Sequence, residues 1–146
     1  DTDHLWGHTG GDSVWVWKSF TRGLNVLFME ELTPSPTWQD SARLAMGQVR
    51  SFAGMIDLAH MVPMPDRVGT GYLLAAPARE YLAYQDGSLG EFSIDLRGAD
   101  GTYEVRWYDT THSRFIPGKP VTGGGRRVLT TPFPGPAAVH LKRSGG

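Results

Sequence analysis

Cysteine is absent from the 146-residue chain. That excludes disulfide frameworks, thiolate zinc sites and cysteine nucleophiles, and leaves the redox compartment open. Charge of one sign is not in excess either: 14 Lys and Arg stand against 15 Asp and Glu, a formal net charge of −1. Nucleic-acid or anionic-membrane binding through bulk charge is therefore excluded as a class of function. The chain has no apolar run near the roughly 18–20 residues of a membrane span, and no secretory signal at its start. Internal repeats, a P-loop, a dinucleotide fingerprint and a nucleophile elbow are also lacking, and no cofactor is expected. The first residue is Asp1 rather than Met, which leads us to expect a processed chain or a piece of a longer one.

What is present suffices for a core: 40% of residues are hydrophobic and 20% charged. Residues 1–65 carry helical signals. Asp12 suits an N-cap for a helix over 13–22, with Gly23 as a left-handed stop and Arg22 at the negative end of the dipole. The unalternating run Asn25-Val26-Leu27-Phe28-Met29 predicts a strand covered on both faces, as in parallel sheets. Thr37 and Asp40 resemble a capping box. Beyond it Ala42, Ala45, Met46, Val49, Phe52, Ala53, Ile56 and Ala59 form one apolar helical face, opposed mostly by Arg43, Gln48, Arg50, Ser51 and Asp57. This helix is expected to run to Met61, stopped by Pro63 and Pro65. Helix, strand, helix is the order of an α/β protein, yet a lone parallel strand cannot satisfy its own backbone. Residues 1–65 are therefore expected to close a larger sheet or barrel whose other strands lie elsewhere.

Residues 66–146 read as all β. Strands are expected over 71–76, 80–85, 91–96, 103–108, 113–117, 126–131 and 137–142, several with period-two alternation. Phe92, Ile94 and Leu96 point one way, as do Tyr103, Val105 and Trp107. Turn signals at Asp86-Gly87 and Asp100-Gly101 complete the pattern of a small antiparallel β-sandwich.

Particular runs resemble a known family. Asp1-Thr2-Asp3-His4-Leu5-Trp6-Gly7, Trp15-Val16-Trp17-Lys18-Ser19-Phe20 and Asn25 to Met29 are similar to the end of the catalytic barrel in apiosidase-like glycoside hydrolases. Glu80-Tyr81-Leu82-Ala83-Tyr84, Tyr103-Glu104-Val105-Arg106-Trp107-Tyr108-Asp109 and Pro132-Phe133-Pro134 resemble the β-sandwich that follows it, a domain labelled collagen-binding. The resemblance implies the last βα units of an incomplete (β/α)8 barrel in residues 1–65 and an accessory antiparallel β-sandwich in 66–146. It also implies a carbohydrate substrate, the missing N-terminal barrel portion of the same protein as partner, and an extracellular or periplasmic location.

Within that frame Asp3 and Glu30 would lie at the C-terminal ends of barrel strands, where catalytic groups gather. Glycoside hydrolysis needs two carboxyl groups, one to protonate the leaving oxygen and one to attack or to activate water. A capped loop for Asp3 and a solvated Glu30 are the structural alternatives. His4, Trp6 and Trp38 are candidates for substrate binding, the indoles by stacking on a sugar face or, alternatively, packing under loops. Asp1, Asp3, His4, His8 and Asp12 match no recognised metal-ligand spacing, so no metal is expected. His60, His112 and His140 are scattered and read as ordinary. The alternative function is a non-catalytic carbohydrate- or matrix-binding, or purely structural, β-sandwich module.

Overall fold

The computed structural model describes residues 12–27 and 37–145, the side chains of 37–39 excepted. Asp12 sits in extended backbone and its carboxylate accepts the Trp15 N–H at 2.8 Å, which starts helix α1 (Ser13–Thr21). Gly23 ends this turn at a φ of +74°, with Pro63 so close that a Cβ would lie 3.3 Å from its Cδ. Helix α2 (Thr37–Met55) buries Ala42, Ala45, Val49, Phe52 and the following Ile56 on its apolar face.

Three expectations for this part are corrected. Helix α2 stops at Met55 rather than Met61, and Leu58–His60 form a separate 3₁₀ turn. The reason is a competing acceptor: the Asp57 N–H donates to the Glu80 carboxylate at 2.8 Å, which turns the chain towards the sheet. Gln48, expected on the polar side, is buried at 5% exposure beside Ala45 and Phe52. The strand expected over Asn25–Met29 is not formed by residues 25–27, which lie in neither helix nor strand; residues 28 and 29 lie outside the described residues. No parallel pairing occurs among the described residues.

The remaining elements are β1 (Val62–Pro63), β2 (Leu73–Ala76), β3 (Glu80–Gln85), β4 (Glu91–Asp95), β5 (Thr102–Asp109), β6 (Arg114–Pro117), β7 (Val121–Thr122), β8 (Arg126–Thr130) and β9 (Ala137–Arg143). Seven of them form one sheet in the order β1-β2-β3-β9-β5-β6, with β7 also pairing to β5, while β4 and β8 form a two-stranded ribbon. All pairings are antiparallel. β1 and β7, each two residues long, carry too little alternation to be read in advance.

The large sheet is covered on both faces, and period-two alternation sorts its side chains between them. Tyr81, Ala83, Tyr103, Val105, Trp107, Val139 and Leu141 face the ribbon's Phe92, Ile94 and Leu129 in an inner core. Leu74, Leu82, Tyr84, Tyr108 and Ala138 face α1 and α2 in an outer core. Strand β3 is consequently buried along its whole length. In the inner core backbones approach so closely at Gly123 that a Cβ would lie 1.5 Å from the Ala99 carbonyl oxygen. Only glycine fits there.

Candidate functional site

Asp3, His4, Trp6 and Glu30 lie outside the described residues, and Trp38, in the first turn of α2, has a side chain that does as well. The described residues form an apolar groove of about 450 Å³ between α1, α2 and the β1–β2 edge. Phe20, Met46, Val49, Ala53 and Leu74 are among its lining residues, together with Leu24, Asn25 and Val26 of the stretch that leads towards Glu30. Asn25 and Arg50 are its polar side chains among the described residues, none of which brings a carboxylate or imidazole to it. The groove can bury an apolar surface, but its described residues offer no group to move a proton.

The polar chemistry of the described residues lies on the sheet and its junction with the helices. Trp17 Nε1–H donates to Gln48 Oε1 at 2.9 Å, and Gln48 Nε2 donates to the Thr110 carbonyl and to Ser113 Oγ, each at 2.8 Å. This chain fixes the indole, which stacks on Tyr84 with ring centroids 5.7 Å apart and planes inclined by 9°. The Tyr84 hydroxyl is buried without a hydrogen-bond partner among the described residues, and burial pushes its pKa up.

Each of the three scattered histidines meets a carboxylate. His60 Nδ1 lies 2.7 Å from Asp57, whose other oxygen accepts from Arg79 at 2.9 Å. His112 Nδ1 lies 2.8 Å from buried Asp109, which also accepts the Thr111 and His112 N–H groups and Arg114 Nε. Burial opposes charge on Asp109, but these donors outweigh it and hold its pKa down. His140 Nε2 lies 2.7 Å from Glu80 Oε1, both side chains buried. These pairs were missed because the acids sit three residues away across a turn or on another strand; the Asp-x-x-His spacing of 57/60 and 109/112 is the one signal for them in the sequence. On α1, Lys18 donates to Asp86 at 2.6 Å. That bond, followed by one from Ser88, pulls the Asp86 pKa down to about 2.

No group of three or more His, Cys, Asp or Glu able to hold a metal occurs among the described residues. No described helix is long and apolar enough to cross a membrane.

No family model and no curated protein sequence matches the chain. Solved structures do. A glycoside hydrolase matches with a TM-score of 0.59 at 10% identity, over 94% of this chain and 33% of that one. A glycoside hydrolase family 5 structure from Bacteroides vulgatus matches with a TM-score of 0.55 at 12% identity, over 75% of this chain and 27% of that one. The structural neighbours are thus glycoside hydrolases, the shared property is the fold, and the chain spans about a third or less of their length.

Proposed function

We propose that this chain is part of an apiosidase-like glycoside hydrolase that cleaves glycosidic bonds of a poly- or oligosaccharide outside the cytoplasm. In this reading residues 1–65 complete a (β/α)8 barrel, and 66–146 form the accessory β domain against which α1 and α2 rest. The observation that carries the reading is the likeness to a glycoside hydrolase over 94% of this chain, helices and sheet together. The apolar groove and the exposed Leu24, Leu27, Leu44, Met55 and Leu58 on the helical side support a further barrel portion packing there. The described residues hold no acid pair of their own in a cleft, so the chain by itself is expected to be inactive.

Asp3 and Glu30 are the proposed carboxylates, with His4, Trp6 and Trp38 against the sugar. The test is turnover of aryl glycosides and plant or microbial polysaccharides by the full-length protein. Asp3→Asn should lower kcat by about 10²–10⁴-fold, whereas near-wild-type turnover ends the assignment of Asp3.

A second reading, a structural module without catalytic or glycan-binding work of its own, is favoured for the β part by its aromatic residues. Tyr81, Tyr84, Tyr103, Trp107 and Tyr108 are all buried, and only Phe115, at 39% exposure, stands among the exposed large hydrophobic residues described. A row of exposed aromatics for stacking on a glycan is not formed by these side chains.

A further inference from the structure

We propose that the outer edge of β8, with the apolar cleft beside it, docks an extended acidic segment of another protein as an added β-strand. The proposal is independent of the glycosidase reading and concerns the side of the large sheet opposite the helices. The register of the ribbon decides which backbone groups are left over. Thr131 N–H donates to the Gly90 carbonyl at 2.9 Å and Leu96 N–H to that of Gly125 at 3.0 Å. Residues 125, 127, 129 and 131 therefore turn their peptide groups towards β4. Arg126, Val128 and Thr130, all exposed, turn theirs outward. The Arg126 carbonyl accepts from the Arg127 guanidinium at 2.9 Å. The Arg126 N–H and both peptide groups of Val128 and Thr130 meet no partner among the described residues. Other borders are blunted. β1 and β7 are two residues long, β1 and β6 hold Pro63 and Pro117, and Gly69 N–H closes on the Ser93 carbonyl of β4 at 2.8 Å. Between Arg127 and Pro132, β8 carries no such device, and Val128 is 62% exposed.

Strand addition also needs room for alternate side chains, and the cleft supplies it. It measures about 480 Å³ and is lined by Val105 and Trp107 of β5, by Pro117, Lys119 and Val121, and by β8 itself. Leu129 points into the inner core, so a strand laid along β8 carries every second side chain towards the large sheet, over this cleft. Apolar residues suit those positions. The other side chains of the added strand share the outer face with Arg126, Val128 and Thr130. Charge decides between occupants. Lys119 and Arg126 are in no ion pair among the described residues. Asp95, across the ribbon from Arg126, is held by Arg97 Nε at 2.9 Å, and Glu91 lies at the far end, across from Thr130. A second copy pairing its β8 with this one would bring two such cationic edges together, whereas a segment bearing carboxylates complements them. The partner is therefore a chain segment in which apolar and acidic residues alternate.

Amide exchange in the whole protein, resolved for residues 126–130, tests this. The probe is an acetylated, amidated heptapeptide with valine at odd positions and glutamate at even ones. At about ten times its dissociation constant, protection of the Val128 and Thr130 amides should rise about tenfold, with that of Val139 in the sheet unchanged. A probe with lysine in place of glutamate should bind about fivefold more weakly, and Lys119→Glu combined with Arg126→Glu should reverse that preference. Val128→Pro, which removes an outward N–H and no bond of the ribbon, should abolish the protection of Thr130. Absence of protection at about 1 mM glutamate peptide, equal binding of the two probes, or strong protection of Val128 before any peptide is added overturns the proposal. Protection that grows with protein concentration alone overturns it as well, since that is the mark of β8 pairing between copies. If Val128→Pro fails to fold, the doubly charge-reversed variant decides: a reversed preference supports the docking edge and an unchanged one overturns it.

Discussion

The two cores on either side of the seven-stranded sheet are held by different means. The inner core, between sheet and ribbon, is a continuous apolar cluster in which aliphatic and aromatic side chains alternate from both sheets. The outer core also buries apolar surface, but its central ring is tied by side-chain hydrogen bonds that span 31, 62 and 65 residues of sequence. Phe52 meets Trp17 and Tyr108 edge-on, with centroids 5.2 and 5.1 Å away, so one aromatic knot joins both helices to the sheet. Burial alone is non-directional and tolerates sliding; a buried amide with three partners does not. The inner face is thereby suited to stability and the outer face to fixing where the helices sit.

That contrast can be broken at its strongest point first. Trp17→Ala should cost about 3–5 kcal/mol by urea denaturation, since it removes a fully buried indole and orphans Gln48. Exchange protection should then fall across α1 and α2 more than across β4 and β8. If Trp107→Ala in the inner core loosens the helices equally, the two cores are one cooperative unit and the distinction fails. A finer cut is Gln48→Met, which keeps volume and removes three hydrogen bonds. It should cost about 2 kcal/mol by the same measurement, and a cost below about 0.5 kcal/mol would mean the network positions nothing.

The smallest effect lies at the rim, where Lys18 of α1 reaches Asp86 past the end of β3. The Asp86 pKa is lowered to about 2, so the stabilisation it gives is present above the unfolded value near 3.8 and lost as pH falls through 2. Lys18→Met should move the Asp86 titration upward, as followed by carboxyl chemical shifts. An unmoved midpoint would assign the shift to Ser88 instead.

Local pattern was legible wherever nearby residues decide. Asp12 announces α1, and the strand expected over 80–85 coincides with β3 to the residue. Alternation at Tyr103, Val105 and Trp107 marks the inner face of β5. What could not be read depends on partners distant in sequence. Ile56 and Ala59 continue the helical period of α2, but Glu80 withdraws the Asp57 N–H and ends the helix, and nothing near residue 57 reports this. Gln48 looks polar and therefore outward until Trp17 and Thr110 are placed beside it. Strand order is equally hidden, because β9 pairs with both β3 and β5 through residues that any strand might offer. For the candidate carboxylates Asp3 and Glu30 the reading rests on resemblance, since both lie outside the described residues.

The position of β9 has a consequence for biosynthesis. The last of the described strands fills the middle of the large sheet, between β3 and β5. As the polypeptide leaves the ribosome, the sheet therefore exists as two separate halves with facing open edges until Ala137–Arg143 emerges. Nascent chains that stall before this point present two adhesive borders, and a strand borrowed from a neighbouring nascent chain would fit the same slot.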